Sequence, residues 1–181
     1  MWVQNRGAWI TPPGAAQFSA LWPWLEPRTS RLVDALWPDL ILFGEWCHAC
    51  HAISYDALPD WFLGFDVFDR SAGRFWSAAR RDALLGDLGL ATVPLIGERE
   101  WTMAEVVDAI GRSRLTDGLM EGVYLRRESA EWLVERAKVV RAGFDSPARA
   151  LVAAGTSAQP GGVGEQLLRE RVRMRAGAAP R

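Results

Sequence analysis

The chain has 181 residues, 49% of them hydrophobic, a formal net charge of −1 and an isoelectric point near 6.1. That size can bury one sizeable core, so one domain is expected over residues 1–150, followed by a flexible Ala-, Gly- and Arg-rich tail over 151–181. Near-neutral charge excludes a basic field over the whole surface, and no apolar run approaches the roughly 18 residues of a membrane span.

In chain order, Trp2 to Arg6 reads as a short strand closed by an Arg6-Gly7 turn. Thr11 to Pro27, rich in Pro and Trp, reads as loop with a short helix around Gln17 to Trp22. Ser30 to Leu36 fits a helix capped by Ser30 and stopped near Pro38. Two apolar runs, Leu40 to Trp46 and Trp61 to Phe68, are separated by a polar link containing Asp56, Pro59 and Asp60, and read as neighbouring strands of one sheet. Phe75 to Leu88 is amphipathic and predicts a helix, as does Thr102 to Ile110, where Thr102 and Glu105 have the form of a capping box. Glu121 to Arg126 and Val134 to Arg141 read as two more strands. Beyond about Ala150 the composition predicts at most a frayed helix over Glu165 to Arg175. The alternating Arg169, Arg171, Arg173 and Arg175 there read as a solvated terminus, with contact to a phosphate backbone as the functional alternative. The pattern as a whole gives an α+β fold.

The two cysteines and two histidines all fall within Trp46-Cys47-His48-Ala49-Cys50-His51. Cys47, Cys50 and His51 form a literal C-x-x-C-H, which invites haem attachment, zinc binding or thiol redox chemistry. Haem attachment needs export, and the first twenty residues carry neither a basic start nor an apolar core, so no haem is expected. Zinc needs four converging ligands. No second pair of ligands exists, and in an extended segment Cys47 and His48 point to opposite faces. A redox pair wants a helix N-terminus, whereas the preceding Ile41 to Trp46 reads as strand. Ordinary small, apolar cysteines beside a strand fit best, and two cysteines suit a reducing, cytoplasmic setting.

Of the 21 basic residues only Lys138 is lysine. Codon bias accounts for that ratio, yet it leaves one candidate for chemistry that requires an amine nucleophile. Four predicted strands carry charge in apolar surroundings: Glu45 in LFGEW, Asp66 in GFDVFD, Glu121 in MEGVYLR and Lys138 in ERAKVVR. A buried charge costs desolvation energy, so one instance fits a satisfied structural residue and four in one domain fit a site. Carboxylates bind hydroxyls or a divalent cation, bases bind phosphate, and Phe65 offers a stacking ring, a set that suits a nucleotide with its metal.

In order and spacing these fragments resemble the ATP-dependent RNA ligases of the covalent nucleotidyltransferase superfamily, over about Trp2 to Phe144. LFGEW is similar to that family's third motif, WFLGFDVFD to the strand after it, MEGVYLR to the fourth motif and RAKVVR to the fifth. The resemblance implies an α+β nucleotidyltransferase (adenylation) domain with antiparallel sheets, flanking helices and its first strand or strands missing. It implies ATP, Mg2+ or Mn2+, and RNA ends bearing a 5′-phosphate and a 3′-hydroxyl, with no membrane partner. Carried over, Glu45 would hold the ribose hydroxyls, Phe65 would stack on adenine and Asp66 would support that site. Glu121 would assist the metal, Arg136 and Lys138 would meet phosphate charge, and Arg6 in QNRG would face the phosphate region. The fifth motif usually has two lysines; here they are Arg136 and Lys138.

The resemblance stops at the nucleophile. The family's lysine lies in a K-x-D-G motif upstream of the Arg6 segment, no such motif occurs, and the sequence begins five residues before Arg6. Lys138 lies on another strand with another role, so the chain as written is expected not to form a lysyl-AMP. A start placed too far downstream is the favoured explanation. A decayed copy, or a non-catalytic nucleotide- or RNA-end-binding remnant, are the alternatives.

Overall fold

A computed structural model describes residues 1–5, 7–48, 55–142 and 170–175. A short hairpin comes first, β1 (Gln4–Asn5) against β2 (Ala8–Trp9), with Gly7 in the turn between them. A 3-10 turn at Ala16–Phe18 leads to α1 (Leu21–Leu25), a second 3-10 turn at Glu26–Arg28 and α2 (Thr29–Leu36). The expected serine cap is absent. α2 continues straight out of the preceding turn, the Thr29 hydroxyl donates to the Leu25 carbonyl at 2.9 Å, and the first amides need no side-chain cap. Trp37, just before Pro38, ends the helix in extended conformation, because the residue before a proline avoids helical geometry.

The first large sheet is built from β3 (Leu40–Trp46), β4 (Phe62–Asp69) and β5 (Arg74–Phe75), all antiparallel. Its next elements are α3 (Ala78–Leu88) and β6 (Ala91–Thr92), the latter parallel to β4. The helix expected over Phe75 to Leu88 begins three residues late. Phe75 is drawn into the sheet opposite Phe68, and Ser77 caps the helix by accepting from the Arg80 amide. α1, α2 and α3 cover one face of this sheet, where Leu21, Trp24, Leu25, Leu32, Leu85 and Leu90 pack against Leu42, Trp46 and Phe62. Gly44 is dictated by that packing, since a Cβ there would stand 2.1 Å from the Phe62 ring.

The second sheet has the order β7 (Leu95–Glu98), β10 (Glu170–Arg175), β8 (Gly122–Glu128), β9 (Leu133–Val140). Before β8 lies α4 (Met103–Ala109), opened by the expected capping box of Thr102 and Glu105. α4 covers the outer face of the sheet: Val106 and Met120 pack with Val123 and Leu125 of β8 and with Ala137 and Val139 of β9. β8 and β9 are antiparallel, whereas β10 runs parallel to both of its neighbours. The antiparallel pairings expected are present, with β6 and β10 added in parallel. One expectation is corrected here: Glu170–Arg175 forms a strand where at most a frayed helix was anticipated. The alternation Arg-Val-Arg-Met-Arg has the period of a strand, and it lies between two strand edges that do not pair with each other.

Candidate functional site

The helices lie on the outer faces of both sheets; the inner face of the first carries Phe43, Phe68 and Phe75 and a small apolar cluster of Leu63, Phe65, Val93 and Leu115, and that of the second is largely charged. On β8 and β9, residues alternate. Val123, Leu125, Ala137 and Val139 face α4, so Tyr124, Arg126, Arg136 and Lys138 occupy the opposite face, with Tyr124 paired to Lys138 and Arg126 to Arg136 across the ladder. On β3, Leu42 and Trp46 pack toward the helices, which puts Phe43 and Glu45 on the inner side.

Strict alternation along β4 would send Phe65 and Asp66 to opposite faces. The register prevents this: Phe43 pairs with Asp66 and Gly44 with Gly64, so Phe65 is one residue too many. Such a bulge re-aims the side chains beside it. Half-buried Phe65 packs with Leu63, Val93 and Leu115, while Asp66 turns to β8 and β9. Fully buried Arg81 of α3 donates to the Phe65 carbonyl at 2.6 Å and pairs with Asp82 at the same distance, so it supplies a partner for backbone at the bulge. Burial lowers the Arg81 pKa from the usual guanidinium range, Asp82 opposes that, and neighbouring Arg126 adds to it.

Asp66, 1% exposed, ties the two sheets together. Its carboxylate accepts from the guanidinium of Arg126, itself fully buried, and from Arg136 at 3.4 Å. Arg126 also donates to Glu128 and, at 2.9 Å, to the Trp76 carbonyl. Glu128 in turn accepts from the Ala78 amide at 3.0 Å, where the N-terminal end of α3 favours negative charge. Burial works against the charge on Arg126, but Asp66 and then Glu128 outweigh it and hold the guanidinium above its ordinary pKa. Burial, with a further push from Asp66, raises the Tyr124 phenol to about 12.

Glu121 and Lys138 also meet, with Nζ 3.4 Å from Oε1 and the glutamate 5% exposed. The Gly122 that follows Glu121 is sterically required, since a Cβ there would lie 2.2 Å from the Val139 carbonyl oxygen. Glu45 stands opposite Leu63, two residues before Cys47. The Cys47 thiol donates to the Glu45 carbonyl at 3.8 Å and is pushed up to about 12, mainly by burial and then by the Glu45 charge. A thiol so raised is a poor nucleophile near neutral pH. Cys50, His51 and Arg6 lie outside the described residues.

Among the residues expected at the site, the structure thus joins Asp66 to Arg136 and Glu121 to Lys138, and places Glu45 and Phe65 on the inner side of the first sheet. Arg126, Glu128 and Arg81 escaped sequence reasoning. The signal for Arg126 was present in Val123-Tyr124-Leu125-Arg126, where strict alternation sets the arginine on the same face as Tyr124. Among the described residues no three His, Cys, Asp or Glu side chains gather into a cluster able to cage a metal ion. Also among the described residues, no helix is long and apolar enough to cross a membrane.

Comparison with curated proteins and with solved structures returns no significant match. The RNA ligase family model matches residues 1–140, which hold every element from β1 to β9 and each of the charged strands that frame the inner faces, and the chain belongs to that family.

Proposed function

We propose that the space between the inner faces of the two sheets is the nucleotide site of an ATP-dependent RNA ligase, the enzyme type that joins an RNA 5′-phosphate to a 3′-hydroxyl through adenylated intermediates. The observation that carries this reading is the convergence of Asp66, Arg126 and Arg136 from three strands on one buried junction, with Glu121 and Lys138 paired on the same β8–β9 hairpin. In this reading Glu45 holds the ribose hydroxyls and Phe65 stacks on adenine. Arg136 and Lys138 meet the phosphates as negative charge develops on them. Arg6 serves the same phosphate region. Asp66 acts by fixing Arg126 and Arg136. Glu121 would hold magnesium or manganese, which when bound would supply Lewis-acid stabilisation to the phosphoryl group.

With Lys138 engaged by Glu121 as the one lysine, the 181-residue chain binds ATP without forming a lysyl-AMP. A protein that binds a nucleotide or an RNA end without sealing it is the second reading. Two measurements test the proposal together. Incubation with α-labelled ATP and magnesium should leave the protein unlabelled, whereas calorimetry should detect ATP binding that Lys138→Ala weakens by about tenfold. A covalent label on Lys138 would overturn the role given to that residue. Absence of ATP binding to the unaltered chain would overturn the nucleotide site.

A further inference from the structure

Beyond the inner faces, a group of guanidinium groups and aromatic rings leads from the site to the surface. Arg136, which contacts Asp66 at 3.4 Å, also lies over the Phe75 ring at 4.6 Å from its centroid. The residue before Phe75 is exposed Arg74, whose guanidinium stands 4.9 Å from the centre of the Trp132 ring. Arg80 stands 4.8 Å from the same ring and 4.0 Å from Trp76, and Trp76 and Trp132 are bridged through their backbones. By the register of β5, Phe75 with Arg136 lies on the inner face of the sheet and Arg74 on the opposite face with Trp132 and Arg80, so the three arginines and three rings flank the edge strand across which the inner face meets solvent. The carboxylates nearby are Glu131, which pairs with Arg80 at 3.4 Å, and Asp69, which is occupied by Ser71, the Ala72 amide and Trp76.

We propose that this edge is the seat of a single strand of RNA leaving the sealing site, with its phosphates on Arg74 and Arg80 and an unstacked base continuing the stack at Arg74 and Trp132. The proposal rests on the ligase reading above. Guanidinium planes and indole rings are the groups on which unpaired bases stack, and the fork of an arginine matches a phosphate. A duplex would keep its bases stacked on each other and leave the rings unused. An apolar protein partner would leave the arginine charges without counterparts.

The test uses the whole chain and two probes, ATP and a 5′-phosphorylated twelve-nucleotide oligoadenylate, with affinities measured across a salt series. Arg74→Ala and Arg80→Ala should each weaken oligonucleotide binding by about fivefold or more and reduce the salt slope by about 0.7 for each phosphate no longer neutralised, while ATP binding is unchanged. Arg74→Lys keeps the charge and loses the planar stack, so its salt slope should stay near that of the unaltered chain while its affinity falls. Should the folded variants bind the oligonucleotide with unchanged affinity and slope, this seat is overturned and the nucleotide site stands. An unaltered chain that binds ATP and not the oligonucleotide likewise overturns the seat alone. An unaltered chain that binds neither probe overturns the ligase reading and this inference with it.

Discussion

The two faces of the β8–β9 hairpin solve different problems with the same backbone. Toward α4, Val123, Leu125, Ala137 and Val139 make an ordinary apolar contact whose stability comes from removing surface from water. Toward the first sheet, the intervening residues are Tyr124, Arg126, Arg136 and Lys138; Asp66 joins Arg126 and Arg136 to that sheet, while Glu128 and Glu121 neutralise Arg126 and Lys138 from the hairpin itself. A hydrophobic inner face would join the sheets at no desolvation cost. A charged one costs desolvation at every group, is recovered only when each partner is in place, and makes sense where a polar ligand has to enter. The difference teaches that the β8–β9 hairpin gives its apolar side to α4 and its charged side to the first sheet, where Asp66 stands beside the ring of Phe43 as the acid that receives two of those charges.

The comparison is broken most severely at its buried pair. Arg126→Ala leaves Asp66 and Glu128 without their principal cation in a dry setting, and should cost about 3–5 kcal/mol in urea unfolding. On the other face, Leu125→Ala removes apolar volume and should cost about 2–4 kcal/mol, at the level of other buried leucine truncations. Refilling both inner positions with apolar groups separates the two mechanisms. Arg126→Met combined with Asp66→Leu should recover part of the loss of Arg126→Ala while lowering ATP affinity, because Arg136 loses its anchor. If the double variant is no more stable than Arg126→Ala, buried charge is not what the single substitution exposes.

Much of this was legible in the residues. β3, β4, β8, β9 and the capping box of α4 were readable because each is local: an apolar run, a period of two, or an N-terminal threonine followed by a glutamate. The isolation of Asp66, Glu121 and Lys138 within apolar strands was readable for the same reason, and these charges do meet partners across the sheet or the hairpin. What escaped depends on distant pairing. No local pattern announces that Phe65 is extra relative to β3, and without the bulge the shared side of Phe65 and Asp66 cannot be foreseen. β5, β6 and β7 span two to four residues each, too short for a period to show. Glu170–Arg175 has a strand pattern, but its place between β7 and β8 is a fact of topology.

A smaller effect sharpens how closely the hairpin strands must approach. At Gly122 the space is limited by the backbone of Val139 and Val140, which cannot rotate away as a side chain would. Gly122→Ala should therefore pry β8 from β9 beside Glu121, costing about 1–3 kcal/mol. Because the strain falls where Glu121 and Lys138 meet, ATP affinity should drop with it. A neutral Gly122→Ala would mean that the start of β8 can shift without disturbing the site.

The mildest probe reads the dryness of the inner face through pH. Tyr124 is held up at about 12 against an ordinary value of 10.0, through burial first and the Asp66 charge second. Its neutral form is therefore favoured in the folded chain, whose phenol keeps its proton where an unfolded chain would begin to lose it. Stability from this group is fully present below pH 10 and declines as the pH rises through 12. Tyr124→Phe should remove that part of the alkaline decline, worth about 1–2 kcal/mol after allowance for solvent at the half-buried ring. Cys47, also raised to about 12, begins its own decline nearer pH 9, so the comparison is best made in a Cys47→Ala background. Thermal melts at pH 8, 10 and 11.5 would show the Tyr124→Phe curve flatter than its parent between the last two. Parallel curves would mean that water reaches the phenol, and that the inner face is open enough for its charges to be screened before any ligand arrives.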